Sequence, residues 1–453
     1  MNQLPPGPRR LLSRRFALRS LRDRPLEFIM EMAARHGDLV CFPSWQNPIF
    51  FVNHPELVRE VLVSRTEDFV RADAVRAALR IFDGESILVS EGDEWRQQRH
   101  LLQQGFRSEA LRGYARKAIE STRTMLLRWP AAGPIRVHNE MEQLCMKTLS
   151  HVLFGTHPPQ DIADSIRIVL DARALEIENV VSSVRRPTVG GRRERDQALS
   201  HVHRFLDDLI QTRRAETEDV GDMLGMLVRA SQRDSEEGKN QRQVDRQIRD
   251  ETISMINASM DATSAAMSWT LFLVAKHPIV QEKVREESEQ AAGKHAEAMA
   301  DDVELPYAEM VVHESLRLYP PNWVLITRRC LQESAIGDYR VPRGSWLFVF
   351  PYVLHRDSRW FTNPESFAPD RFAPEIFGPS QRSAYIPLGL GPHVCIGKAL
   401  STIILTSILA SILQEFRLEL PPNQTEAEPD VGIVIRPKNG LRLYATRDRI
   451  GYC

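Results

Sequence analysis

Residues 388–397 read Leu-Gly-Leu-Gly-Pro-His-Val-Cys-Ile-Gly, and KALSTIILTSILASILQEF, a run of helical character, follows at once from Lys398. Gly389, Gly391 and Gly397 permit positive φ angles and close backbone approach. Cys395 lies just before the predicted helix, whose positive end stabilises a thiolate while local amides donate to sulfur. A Gly-rich loop before a helix also suits phosphate. A phosphate loop, however, wants Lys followed by Ser or Thr, and here Lys398 precedes Ala399. On these residues alone, a reactive thiolate and a buried, inert cysteine both stand.

The rest of the chain narrows the choice. Its 453 residues are 42% hydrophobic and 26% charged, with a net charge of −1. That composition builds a large core and gives no basic excess for nucleic acid. The five cysteines (Cys41, Cys145, Cys330, Cys395, Cys453) are scattered and form no CxxC pair or zinc spacing. This argues against a disulfide framework and for a reducing compartment. The Arg-rich N-terminus has no apolar run of about 18 residues, so no transmembrane anchor or secretory signal is expected there, and the expected location is cytoplasmic.

The organisation expected for residues 1–453 is one mainly α body with small β-sheets. A β-richer N-terminal part spans about 30–70, where LVCFPSW and PIFFVNH look like strands, and a helical core spans about 90–320. The stretch ISMINASMDATSAAMSWTLFLVA is apolar nearly all round, which predicts a long helix from about Val244 to Lys276 buried on all sides. The cysteine loop occupies 386–397. A C-terminal hairpin is predicted at about 428–447, turned at Asn439-Gly440.

Three further patterns belong with the loop. Glu314 and Arg317 lie three apart, on one helix face before Pro320. Pro369-Asp370-Arg371-Phe372 follows in an irregular stretch, and Trp95 and Arg99 lie four apart on another predicted helix. Taken singly, the first is an ordinary surface ion pair and the others are solvated surface. Together and in this order they resemble the cytochrome P-450 family, whose cysteine loop reads Phe-Gly-x-Gly-x-Arg/His-x-Cys-x-Gly. Every position matches save the first, where Leu388 replaces Phe.

The resemblance implies a single P-450 catalytic domain with haem b, iron protoporphyrin IX, ligated by Cys395 as its only protein metal ligand. A thiolate there favours O–O cleavage. It implies that Trp95, Arg99, Arg328 and His393 bind haem propionates and that Glu314, Arg317 and Arg371 form a buried triad holding the cysteine loop. Leu388, in the place of a Phe that shields the sulfur, fills the space without a π face.

The family's long helix usually carries Ala/Gly-Gly-x-Asp/Glu-Thr. Here the match is Ala258-Ser259-Met260-Asp261-Ala262, followed by Thr263. The acid is kept as Asp261, but the alcohol has become Ala262. Neighbouring helix positions point about 100° apart, so Thr263 does not simply replace it. Three routes stay open. A substrate hydroxyl or ordered water delivers the proton; Ser259 or Thr263 does; or the chemistry needs little proton control, as in peroxide-driven oxidation or oxidative coupling.

By the same resemblance, substrate contacts fall on Ile87, Leu88, Leu175, Val180, Met255, Met260, Trp323, Val324, Leu325 and Ile433. The expected activity is monooxygenation of a hydrophobic small molecule by hydroxylation or epoxidation, in natural-product tailoring. Oxidative coupling and a non-catalytic haem sensor are the alternatives. With no fused flavin or ferredoxin domain, electrons come from a separate ferredoxin or flavodoxin, for which Arg96, Arg99, His100, Arg107 and Lys398 offer a positive face. The Arg-rich loop at 185–195 reads as solvated surface or as a docking site for an acidic carrier protein.

Overall fold

The central helix, Gln241–Lys276, organises the molecule. Asn240 caps it by accepting a hydrogen bond from the Arg242 N–H at 3.0 Å, and Pro278 follows its last turn. From Thr263 to Ala275 every residue is buried. The polar ones satisfy themselves locally: the Ser268 and Thr270 hydroxyls donate to the carbonyls of Ser264 and Ala266. The first half of the helix is not buried on all sides. Ala258 is exposed in mid-helix, and Met255, Ser259, Asp261 and Ala262 are partly so. These positions recur at three- and four-residue spacing and form one accessible stripe.

The computed structural model describes residues 4–8, 13–43, 47–182, 191–216, 220–231, 240–294, 304–422 and 424–448. It is mainly helical, with small sheets to one side, as the sequence predicts. The largest sheet has five strands in the order Leu39–Phe42, Ile49–Val52, Trp346–Val349, Arg328–Cys330 and Phe69–Arg71. Its Val- and Phe-rich strands are buried on both faces, which is why LVCF and IFFV read as continuous apolar runs. The helix after the cysteine, Lys398–Glu415, is long and apolar enough to cross a membrane by length and composition. In the fold it packs against Ser108–Leu126 and Pro278–Lys294 and buries Ile404, Ile408 and Ile412.

The C-terminal segment departs from expectation. Pro429–Val431 pairs with Ile435–Pro437, so the hairpin turns at Gly432–Val434. Asn439-Gly440 is also a bend, with positive φ at both residues, but it passes the chain to another sheet. There Arg442–Arg447 pairs with Ala132–Arg136 and with Phe416–Glu419. Two strands distant in sequence outbid the local partner that an Asn-Gly turn suggests.

Candidate active site

The cysteine loop is built by its own backbone. Cys395 N–H donates to the Leu388 carbonyl at 2.9 Å, and Val394 N–H to that of Gly391 at 3.1 Å. Gly389 and Gly391 hold φ of 84° and 75°. A Cβ on Gly391 would lie 2.0 Å from the Leu62 carbonyl oxygen, so only glycine fits where the loop crosses that turn. Gly397 has ordinary φ, −82°. Its contribution is a backbone N–H directed at the Cys395 sulfur.

Cys395 is exposed, whereas Cys41, Cys145 and Cys330 are buried. Yet its surroundings are dense enough that burial pushes its thiol up, against the Gly397 N–H and the Arg99 guanidinium, which pull it down. The sulfur therefore faces an internal space rather than the open surface.

The anchor beneath the loop is a buried network. Arg317 donates through Nε and Nη2 to both carboxylate oxygens of Glu314, at 2.7 and 2.8 Å, and both side chains are fully buried. Arg371 Nε and the Ala368 N–H also donate to Glu314, each at 2.9 Å. The remaining Arg317 N–H groups reach the carbonyls of His355, Pro364 and Ser366. His355 was not legible in advance. Its Nε2 accepts from the Ile386 N–H at 3.0 Å, so its Nδ1 carries the proton and donates to the Arg317 carbonyl at 3.1 Å. Burial and the Arg317 charge hold this imidazole well below its usual range, in the neutral form that the two contacts require. The triad thus connects through His355 to the first residue of the cysteine loop.

A second cluster lies beside the loop. His393 packs against Trp95, with ring centroids 4.1 Å apart and the planes tilted by 39°, and its Nδ1 lies 2.7 Å from Arg71 Nη2. Burial and the charges of Arg71, Arg328 and Arg99 bring His393 down to about 2, so it accepts from Arg71 as a neutral ring. Arg71 was missed in the sequence. It is 4% exposed, donates to the carbonyls of Ile87 and Ser90, and is pulled down to about 10 by burial. Arg328 is 7% exposed and pairs directly across from Arg71 in the sheet. Its buried Nε has no hydrogen-bond partner. Like charges placed opposite one another in an antiparallel pair are destabilising. Glu91, 3.8 Å from Arg71, is the carboxylate at hand, and the Arg99 charge also reaches this cluster. Three guanidiniums against one carboxylate leave an uncompensated positive site, suited to the two propionates of a haem. The residues present fit that group. Arg99 itself sets Nη1 on the Val394 carbonyl at 2.8 Å, so it braces the loop.

On the central helix, the Ser259 hydroxyl donates back to the Met255 carbonyl at 2.7 Å. Thr263 is buried, about 140° around the helix from Ala258 and off the accessible stripe. Ala262 lies on the stripe. Asp261 lies at its edge and looks toward helix Gln160–Ser182, where burial and the Asp261 carboxylate push the Asp171 carboxyl up.

Among the predicted pocket residues, Met255, Val324, Leu325 and Ile433 are half-buried. Leu88, Leu175 and Val180 are half-buried too, with Leu88 and Val180 packed on Ala72, Val75, Leu79 and Val89. Met260 does not join the stripe. It lies about 200° around the helix from Ala258 and packs in the main core, because the helix turns that side inward. Ile87 is held on both sides of its Cα: its N–H donates to Glu251 Oε2 at 3.1 Å and its carbonyl accepts from Arg71. Arg96, His100, Arg107 and Lys398 are exposed. Arg185 and Arg186 lie outside the described residues, while Arg192, Arg193 and Arg195 open helix Gly191–Ala215.

Comparison with known proteins bears on the family of the whole chain. The sequence profile of the cytochrome P-450 family matches residues 5–443. Cyclooctatin synthase of Streptomyces melanosporofaciens is 30% identical, over 93% of this chain and 90% of its own. Cyclooctat-9-en-7-ol 5-monooxygenase of the same organism is 29% identical, over 89% and 87%. Pentalenene oxygenase of Streptomyces avermitilis is 26% identical, over 93% of each.

Proposed function

This chain belongs to the cytochrome P-450 family and is a monooxygenase, and from that premise we propose that it inserts one oxygen atom from dioxygen into a terpenoid-class small molecule. The observation that carries this reading is Cys395 facing an internal space, with an N–H on its sulfur and an anion-seeking arginine cluster beside it. The terpenoid class rests on relatives whose names specify cyclooctat-9-en-7-ol and pentalenene.

Cys395 would hold the iron of haem b, and Arg71, Arg328 and Trp95 its propionate edge. When bound, that group supplies the activation of dioxygen, to which the thiolate contributes electron density. The protein's own part is to seat, exclude and protonate. The stripe of Met255, Ala258, Ser259 and Ala262 would form one wall of the substrate space, kept roomy by its two alanines and its serine, and Leu325 and Ile433 would line the apolar remainder. Asp261 supplies protons from the side of Asp171. With the Ser259 hydroxyl committed to the Met255 carbonyl and Thr263 off the stripe, a substrate hydroxyl or an ordered water makes the last transfer. Exposed Arg96, His100, Arg107 and Lys398 offer an acidic ferredoxin or flavodoxin a docking face.

The test is turnover with a ferredoxin, its reductase and a panel of terpene alcohols under isotopically heavy dioxygen. One heavy oxygen in the product supports the proposal, and desaturated or coupled products without it overturn oxygen insertion. In the same assay Asp261→Asn lowers turnover by about 100-fold and leaves the reduced carbon monoxide spectrum unchanged; undiminished turnover removes Asp261 from proton delivery. Arg328→Leu has opposite effects on the two forms. It relieves the repulsion with Arg71, so the haem-free chain melts no lower than the parent, while the loaded protein loses haem faster on gel filtration. Equal haem retention contradicts the propionate assignment.

A further inference from the structure

The hairpin carrying Ile433 is held by two indoles. Trp323, between helix Pro306–Leu318 and strand Arg328–Cys330, donates its Nε1–H to the Gly432 carbonyl at 2.9 Å. Trp269, fully buried in the central helix, donates to the Ile435 carbonyl at 3.1 Å. The Ile435 N–H in turn donates to the Pro321 carbonyl at 3.0 Å. The direction of each indole is fixed by stacking: Trp323 lies nearly parallel to Phe350, at 14°, and Trp269 on Tyr319, at 3.8 Å and 1°.

The hairpin cannot hold this position by itself. Its ladder has three residue pairs, ending at Val431–Ile435, and a two-stranded ribbon is marginal at best in isolation. Gly432 lies beyond the last pair. Its N–H closes on the Val434 carbonyl at 3.2 Å, which makes Ile433 the apex. The far side of Gly432 is occupied too, since a Cβ there would lie 2.8 Å from Glu178 Oε1 on helix Gln160–Ser182. The apex is therefore wedged between that helix and the Trp323 indole. The 321–327 segment and the hairpin meet through two hydrogen bonds, Trp323 Nε1–H to the Gly432 carbonyl and the Ile435 N–H to the Pro321 carbonyl, and only the first reaches the turn.

We infer that Trp323 and Trp269 are positioning residues that set how far Ile433 reaches into the cavity, and so set selectivity among large substrates. Trp323 acts through its N–H and the hairpin rather than by touching the substrate. This rests on the monooxygenase reading above. A buried indole N–H needs an acceptor, and for Trp323 that acceptor is the Gly432 carbonyl, next to the apex residue.

The test uses the haem-loaded full chain, Trp323→Phe and Trp269→Phe, with two probes titrated by Soret shift. Imidazole reports on the iron alone, and clotrimazole extends to the cavity walls. Trp323→Phe keeps the ring and deletes the donor. It is expected to speed hydrogen exchange at the hairpin amides by about fivefold and to weaken clotrimazole by roughly three- to tenfold, with imidazole unchanged. Trp269→Phe reproduces the exchange effect. Unchanged exchange and an unchanged clotrimazole-to-imidazole ratio in Trp323→Phe overturn the positioning role, as does an equal loss for both probes. Failure of the parent protein to give an imidazole shift overturns the haem reading instead, so the two failures are distinguishable.

Discussion

Replacing Glu314 by glutamine lowers the stability of the chain by about 3–5 kcal/mol and releases the cysteine loop. Glu314 is the only carboxylate hydrogen-bonded to Arg317 and Arg371 among the described residues, and its Oε1 also accepts the Ala368 N–H. The amide keeps the volume but removes the charge, and it presents an NH2 group to donors. Arg317, fully buried, is left as an uncompensated cation, which costs far more than an exposed pair would. Domains are stable by only about 5–15 kcal/mol, so the loss is a large fraction of the total. Because His355 joins the Arg317 carbonyl to the Ile386 N–H, the damage reaches the loop. Denaturant melts of the haem-free chain measure the first effect and haem content measures the second. A variant with parental stability and full haem content contradicts the anchoring role.

The second large effect is on pH dependence. Burial raises Glu251 from the ordinary 4.5 to about 8, with Asp250 and Asp83 adding to the rise; the Ile87 N–H and Gln247 oppose it. The folded state therefore favours the protonated acid. The stability this group contributes is complete below pH 4.5, declines as pH rises through the window to about 8, and is absent above it. Ionisation in the folded protein costs on the order of 5 kcal/mol across that window. Glu251→Gln keeps an acceptor for Ile87, and the Gln247 amide can turn to match. The variant should melt with the parent near pH 5 and well above it near pH 9. A melting difference independent of pH contradicts this. Because Glu251 and Arg71 hold the N–H and the carbonyl of the same residue, alkaline loosening should also reach the Ile87 backbone.

Much of the site was legible because its parts are local. The cysteine loop, the Glu-x-x-Arg spacing and the Trp-x-x-x-Arg spacing each fit within about one or two helical turns, where residue spacing dictates geometry. Arg71 was invisible for the opposite reason. It matters only because Phe69–Arg71 pairs with Arg328–Cys330, more than 250 residues away, and places two arginines face to face. His355 looked like part of an irregular stretch until the fold set it between Arg317 and Ile386. Periodicity gave the central helix to within a few residues, but an apolar helix pressed against an internal space reads like one pressed against core. Ala258 and Met260 therefore look equivalent in sequence and face opposite ways. The Asn439-Gly440 bend was found, and its partner strands were misjudged, since turn chemistry marks where a chain reverses and not what it then pairs with.

Ligation of haem iron by the Cys395 thiolate is read out by the carbon monoxide difference spectrum of the dithionite-reduced protein. A Soret band at about 450 nm is expected in the parent and is lost in Cys395→Ala, with Leu388 sufficient to protect the sulfur. A band at about 420 nm in freshly prepared parent protein, or a band indifferent to the loss of Cys395, would contradict thiolate ligation.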